Sequence, residues 1–144
     1  MSKAHFSHIF PISVRWGDAD IFGHINGVQF VRYIESGRVA YCEDVMNMPL
    51  IVGMESGWVI ADIQCSYIQQ VHYPAALEVR TRISKIGNKS ATILADIYRK
   101  GEDKPVVTSK GVMVWFDFVQ QRASLIPEDV RQKIVVFEHV VEQL

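Results

Sequence analysis

Trp16-Gly-Asp-Ala-Asp-Ile-Phe-Gly-His-Ile-Asn26 runs directly into Gly27-Val-Gln-Phe-Val-Arg-Tyr-Ile-Glu-Ser-Gly-Arg38, and this junction organises the rest of the chain. Its first eleven residues hold two carboxylates, a histidine, a carboxamide and two glycines. Upstream, Phe10, Ile12, Val14 and Trp16 alternate with Pro11, Ser13 and Arg15, the period of a half-buried strand. Downstream, Val28, Val31, Ile34, Arg38, Tyr41, Cys42 and Val45 recur at three- and four-residue spacing. Phe30, Tyr33 and Val39 widen that apolar surface beyond one stripe, so the helix must be buried on most sides. Asn26 suits the N-cap, and Pro49 ends the pattern.

Four strand-like segments follow. Val59, Ala61, Ile63, Cys65 and Tyr67 share one face of the first; Leu77, Val79, Thr81 and Ile83 share one face of the second. Ala91, Ile93, Ala95 and Ile97 mark the third, which ends at a turn over residues 100–105. In the last, Lys110, Val112, Val114, Phe116 and Phe118 lie on one face, while Gly111, Met113 and Trp115 make the other face apolar too. A terminal helix is predicted from Pro127, with Glu128 and Asp129 at its positive dipole end and Val130, Ile134, Phe137 and Val141 at helical spacing. The links between the later strands are too short for parallel crossovers, so a mostly antiparallel sheet should curl around the apolar helix. That arrangement leaves edges and outward apolar positions such as Trp115, which oligomerisation would cover.

At 144 residues the chain reads as one domain, 1–144, large enough to bury a substantial core. Its 49% apolar and 22% charged composition is that of a globular protein, and a net charge of −1 gives no reason to expect nucleic acid. No secretory leader is read at the N-terminus, and no apolar run approaches the roughly 20 residues of a membrane span. Cys42 and Cys65 form no CxxC and read as buried thiols of a reducing compartment, so a cytoplasmic location is expected.

The chemistry concentrates at the junction. Gly-Asp-Ala-Asp alone is ordinary turn composition, His24 alone is ordinarily a packing residue, and Asn26 alone is a cap. Asp18 and Asp20 point the same way in extended backbone, and a turn would separate them. Together they suggest more. A helix opening near Gly27 presents unpaired N–H groups and a positive dipole end, and glycine does not obstruct an approaching carbonyl. A thioester carbonyl accepting the Gly27 N–H would be polarised, while Asp20 attacks its carbon or takes a proton from the attacking water. His24 or Asn26 could orient the water or the carboxylate. No serine or cysteine nucleophile with a fitting base is present, and His24, Asp62 and His72 do not have metal-ligand spacing; neither metal nor cofactor is expected.

Gly-Asp-Ala-Asp-Ile-Phe-Gly-His-Ile-Asn, with the Val-Gln-Phe-Val-Arg-Tyr-Ile-Glu-Ser-Gly-Arg that follows, resembles the signature of the 4-hydroxybenzoyl-CoA thioesterase family of hot dog fold proteins. It is most similar to the acyl-CoA thioesterase branch, whose motif reads D-x-D-x-x-G-H-x-N. The resemblance takes in Tyr67, residues 77–81, residues 86–90 and residues 126–131, nearly the whole chain. It implies an α+β hot dog fold, a five-stranded antiparallel sheet wrapped around a long central helix. It also implies homodimers or homotetramers with acyl-CoA sites between subunits; the lack of a long apolar run adds the expectation of no membrane partner. By motif position Asp20 is the catalytic carboxylate and Gly27 the amide facing the carbonyl; His24 and Asn26 join the catalytic set, with Asp18 and Gly23 on the substrate. Arg82, Lys85 and Lys89, part of a basic cluster with Arg99 and Lys100, are expected to meet coenzyme A phosphates.

There are two departures, the first of which bears on the substrate. Gln70-Val-His-Tyr-Pro-Ala-Ala76 replaces a Pro-x-x-x-Gly-Asp pattern and is expected to abut the acyl pocket. Asn26 is followed by Gly27, where many relatives have a second Asn. Trp58 and Tyr73 read as core packing ahead of flanking an acyl tail. The leading expectation is hydrolysis of an acyl-CoA thioester, or of its acyl carrier protein counterpart. A non-catalytic acyl-CoA-binding protein and a hot dog hydratase are the competing readings.

Overall fold

The computed structural model describes residues 6–144; the N-terminal stretch read above for a secretory leader lies largely outside the described residues. Strand β1 (His8–Ser13) leads through a short 3-10 turn (Trp16–Asp18) to helix α1 (Gly27–Met46). Strands β2 (Ser56–Tyr67), β3 (Ala76–Ile86), β4 (Ser90–Arg99) and β5 (Pro105–Asp117) follow, then β6 (Arg122–Ala123), helix α2 (Glu128–Glu138) and β7 (Glu142–Gln143). The five long strands are antiparallel in the order β1-β3-β4-β5-β2; β6 adds to β5, and β7 adds to β3 in parallel. This is the hot dog arrangement, a curved antiparallel sheet around one long helix. Register shifts at Ile60/Asp62 and Ile83/Lys85 help to bend the sheet.

Helix α1 begins and ends as its sequence dictates. The Asn26 side chain accepts the Val28 N–H at 3.0 Å, and Asn47 closes the helix in the left-handed region at φ 50°, two residues before Pro49. The helix buries Phe30, Ile34 and Tyr33 against Leu77, Val79 and Ile97 near its start, and Tyr41, Cys42 and Met46 against Ile83, Ile93 and Met113 near its end. Full burial of each such side chain contributes roughly 1.5–3 kcal/mol. Helix α2 closes the second cluster with Val130 and Ile134. Its Glu138, 6% exposed, accepts hydrogen bonds from the Tyr41 hydroxyl and, at 2.9 Å, from the Ile83 N–H, tying α2 to both α1 and β3.

Three boundaries and faces differ from expectation. Strand β1 ends at Ser13 because its ladder pairs Ser13 with Ala76, the first residue of β3; Val14 and Trp16 have no partner strand, and Trp16 is 79% exposed. Helix α2 ends at Glu138, with His139 at φ 59°, so Val141 lies past it while still packing on the core. Trp115 faces inward: it is buried, packs edge-on against Trp58 at 5.2 Å, and shares the core face of β5 with Gly111 and Met113. The half-buried Val112, Val114 and Phe116 take the outer face. Among the described residues no helix is long and apolar enough to cross a membrane.

Candidate active site

The loop between β1 and α1 is held by its own aspartates, and they diverge. Asp18 Oδ2 accepts the Arg15 N–H at 3.1 Å and the Tyr33 hydroxyl at 2.5 Å, which fastens the loop to α1. Burial, and then the Asp18 carboxylate, push the Tyr33 phenol up from its ordinary value. Asp20 turns the other way. Its Oδ1 accepts the Phe22 N–H at 2.8 Å and the His24 N–H at 3.1 Å, while its own N–H donates to the His24 carbonyl at 2.8 Å. Gly23, at φ 81°, closes the turn by donating to the Asp20 carbonyl at 3.0 Å; few side-chain-bearing residues adopt that backbone without strain. Among the described residues Oδ2 of Asp20 accepts no hydrogen bond.

The segment after β2 zips onto this loop. Ile25 N–H donates to the Val71 carbonyl at 2.7 Å and Tyr73 N–H to the Gly23 carbonyl at 3.0 Å. The pairing brings the His24 and His72 rings to 4.3 Å, edge to face, although 48 positions separate them. No third ligand joins them in a metal-binding group among the described residues. Asn26 N–H donates to the Asp18 carbonyl at 3.1 Å, which aims the start of α1 at the loop. The Gly27 N–H donates to no group among the described residues, one of the free donors of a helix start.

Asp20, His24, Asn26 and Gly27 line one cavity of about 530 Å³, together with Ile25, Phe30, Tyr67, Ile68, Gln69 and Gln70. Arg99 supports its wall, donating to Gln69 Oε1 at 2.9 Å and the Gln70 carbonyl at 2.8 Å. Asp20, whose Oδ2 accepts no hydrogen bond among the described residues, and Gly27, whose N–H is unpaired there, therefore line the same open cavity. Groups of these two kinds can polarise a carbonyl and attack it. An apolar groove elsewhere, walled by Leu50, Ile51, Val52, Met54, Trp58 and Phe118, is slightly larger at about 590 Å³ but holds no group able to do acid–base chemistry.

Other expected site residues stand apart. Asp18 does not line the Asp20 cavity; Gly23 lines the neighbouring hollow with Trp16 and Tyr73, and Asp20 lies between the two and lines both. Tyr67 lies in a row with Val107, Ile97 and Val79 across the sheet. Lys85 is six residues farther along β3, about 20 Å away at strand rise, where it pairs with Glu142 at 3.9 Å. Lys89 is in the turn beyond it, and Arg82 lies between the two ends, so none of the three reaches this cavity within one chain. Trp58 is core, its indole N–H donating to Met46 Sδ at 3.1 Å. His72, Gln69 and Arg99 reach the site through tertiary pairing; no local signal in the sequence marks them for it.

The family model of the thioesterase-like superfamily matches residues 14–134. The uncharacterized protein YsmA of Bacillus subtilis strain 168 is 33% identical over 112 residues, 78% of this chain and 74% of that protein. The chloroplastic acyl-acyl carrier protein thioesterase ATL3 of Arabidopsis thaliana is 26% identical over 133 residues, 90% of this chain and 68% of its own. Among solved structures, a Thermus thermophilus thioesterase complexed with coenzyme A and Zn superposes with a TM-score of 0.82 at 25% identity, covering 93% of this chain and 96% of that one. The chain belongs to the thioesterase-like superfamily and is a thioester hydrolase.

Proposed function

We propose that the chain hydrolyses acyl-CoA thioesters to a free acid and coenzyme A, as a member of the acyl-CoA thioesterase branch of the 4-hydroxybenzoyl-CoA thioesterase family. The observation that carries this reading is the cavity lined by both Asp20 and Gly27, the one with an Oδ2 and the other with an N–H that has no partner among the described residues. The substrate carbonyl oxygen accepts the Gly27 N–H, and the positive end of α1 favours the negative charge that develops there. Asp20, fixed through Oδ1, acts with Oδ2. As a base it takes a proton from water while the hydroxide oxygen bonds to the carbonyl carbon; the C–S bond then breaks, the C=O re-forms, and the proton on Asp20 passes to the departing thiolate. As a nucleophile Oδ2 bonds to the carbonyl carbon, the C–S bond breaks and the thiolate leaves. Water then attacks the Asp20 carboxyl carbon of the mixed anhydride, releasing the acid with an enzyme oxygen and supplying the proton that the thiolate takes up. Single-turnover hydrolysis in ¹⁸O-water separates the routes: the base route labels the released acid at once, whereas the nucleophile route delivers an unlabelled enzyme oxygen first.

His24 and the amide of Asn26 line the cavity and orient water, the Asn26 carbonyl being committed to the helix cap. Support for coenzyme A comes from the ligand of the Thermus relative. The carrier protein named for the Arabidopsis relative favours a second reading in which the thiol is a carrier-bound pantetheine. We further propose a homodimer or homotetramer, since among the described residues the outer edge of β2 is unpaired and bears the exposed Ile63, and a cytoplasmic location, which the free Cys42 and Cys65 favour. Contact of Arg82, Lys85 and Lys89 with coenzyme A phosphates then requires a second copy. Thiol release measured over short, long and aryl acyl-CoAs, beside the matching acyl carrier proteins, tests the substrate: turnover of at least one acyl-CoA is expected, and turnover of carrier-bound thioesters alone would overturn the coenzyme A assignment.

A further inference from the structure

Tyr67, the last residue of β2, stands against the first residue of α1. A Cβ built on Gly27 would meet the Tyr67 hydroxyl at 3.3 Å and the ring carbon bearing it at 3.4 Å. The phenol thus occupies the space that a side chain at residue 27 would fill. Its one hydrogen bond runs to the Gly27 carbonyl at 3.4 Å, well beyond the roughly 2.5–3.0 Å of an effective O–H···O bond. The proton is close to uncommitted. The ring leans on Phe30, itself buried, with centroids 6.0 Å apart, and it lines the cavity that holds Asp20 and Gly27. A held ring with a nearly free donor beside the proposed thioester site is placed to act on the substrate.

We propose that Tyr67 is a second hydrogen-bond donor to the thioester carbonyl, acting beside the Gly27 N–H; this rests on the reading of Asp20 and Gly27 as the hydrolytic site. When the carbonyl carbon is attacked, its π pair moves onto oxygen, and the Tyr67 O–H strengthens its hydrogen bond as that charge grows. The phenol keeps its proton throughout. When the C–S bond breaks, the pair returns to re-form the carbonyl and the hydrogen bond relaxes. The interaction is thus strongest in the transition state, so it acts on kcat more than on KM.

Tyr67→Phe removes the donor and keeps the ring that packs on Phe30. Loss of a buried oxyanion donor costs about 100–1000-fold in turnover; Tyr67 is 55% exposed and competes with water, so a fall of about 10–100-fold in kcat is expected. KM should stay within about twofold, and the melting temperature should not move, because a 3.4 Å bond adds little stability. A trifluoromethyl ketone analogue of the acyl thioester, whose tetrahedral adduct carries the oxyanion, should lose affinity by the same factor as kcat/KM. Wild-type kcat, a change confined to KM, a melting temperature that falls along with turnover, or unchanged affinity for the ketone would each overturn the proposal. Asp20→Asn run alongside separates the two claims. If it stays active the whole site reading fails, whereas an inactive Asp20→Asn beside a fully active Tyr67→Phe removes Tyr67 alone.

Discussion

Gly37 lies midway along α1, buried where the helix crosses β3, and its replacement by alanine tests how closely the two elements approach. A Cβ there would fall 2.6 Å from Val79 Cγ1, 3.0 Å from Val79 Cβ and 3.3 Å from Thr81 Oγ1. Carbon atoms pack at about 3.5–4.0 Å, so the closest contact is short by about 1 Å. Val79 cannot yield easily. It is fully buried, β-branched, and held between Phe10 of β1 and Ile97 of β4. Overpacking costs about 1–3 kcal/mol, and with Val79 unable to yield the upper part of that range applies, about 2–3 kcal/mol, while alanine returns roughly 1 kcal/mol of helix propensity. Gly37→Ala should therefore destabilise by about 1–2 kcal/mol in urea unfolding, with an unchanged m-value. Val79→Ala alone opens a cavity and should cost about 2–3 kcal/mol. In the double variant the new methyl enters the vacated space, so the pair should cost at least about 1 kcal/mol less than the sum of its parts. A neutral or stabilised Gly37→Ala, or strict additivity, would refute the close approach.

Other regions make separate predictions. Burial pushes the Cys42 thiol from an ordinary 9.0 up to about 11, so above pH 9 the unfolded chain loses this proton while the native state keeps it. Stability present below pH 9 should decline by up to about 3 kcal/mol as pH rises toward 11, and denaturation of Cys42→Ala across that window should show a shallower slope. Tyr33→Phe deletes the hydroxyl that holds Asp18 and should cost about 1–2 kcal/mol in urea unfolding, with faster amide exchange at His24 and Ile25. Wild-type stability and exchange in that variant would mean that the loop is fastened elsewhere.

What was legible in the sequence follows the range of the forces involved. The start and stop of α1 are local events, a side-chain cap at Asn26 and a left-handed residue shortly before Pro49, so spacing alone located them. The alternation in β3 and β4 is likewise clean because one face is buried and the other is not. Trp115 failed that test: both faces of β5 are apolar, and the choice rests on Gly111 meeting Ile93 and on Met113 meeting α1, neither visible locally. The divergence of Asp18 from Asp20 depends on Tyr33, fifteen residues on, and Glu138 finds Tyr41 across 97 positions. That Asp20, His24, Asn26 and Gly27 line one cavity could be anticipated because they are nearly contiguous in the chain. His72, Arg99 and the contact of Tyr67 with Gly27 come from strand pairing and could not be read from spacing.

Turnover by Asp20→Asn is the most direct measure of the proposed chemistry. The asparagine carbonyl can still accept the Phe22 and His24 N–H groups that now bind Oδ1, so the loop and the melting temperature should be preserved. What is lost is the anionic Oδ2. Thiol release from the preferred acyl-CoA should fall by about 100–10,000-fold in a protein that unfolds like the wild type. A folded Asp20→Asn that releases thiol at the wild-type rate would contradict the assignment of Asp20 and, with it, the site.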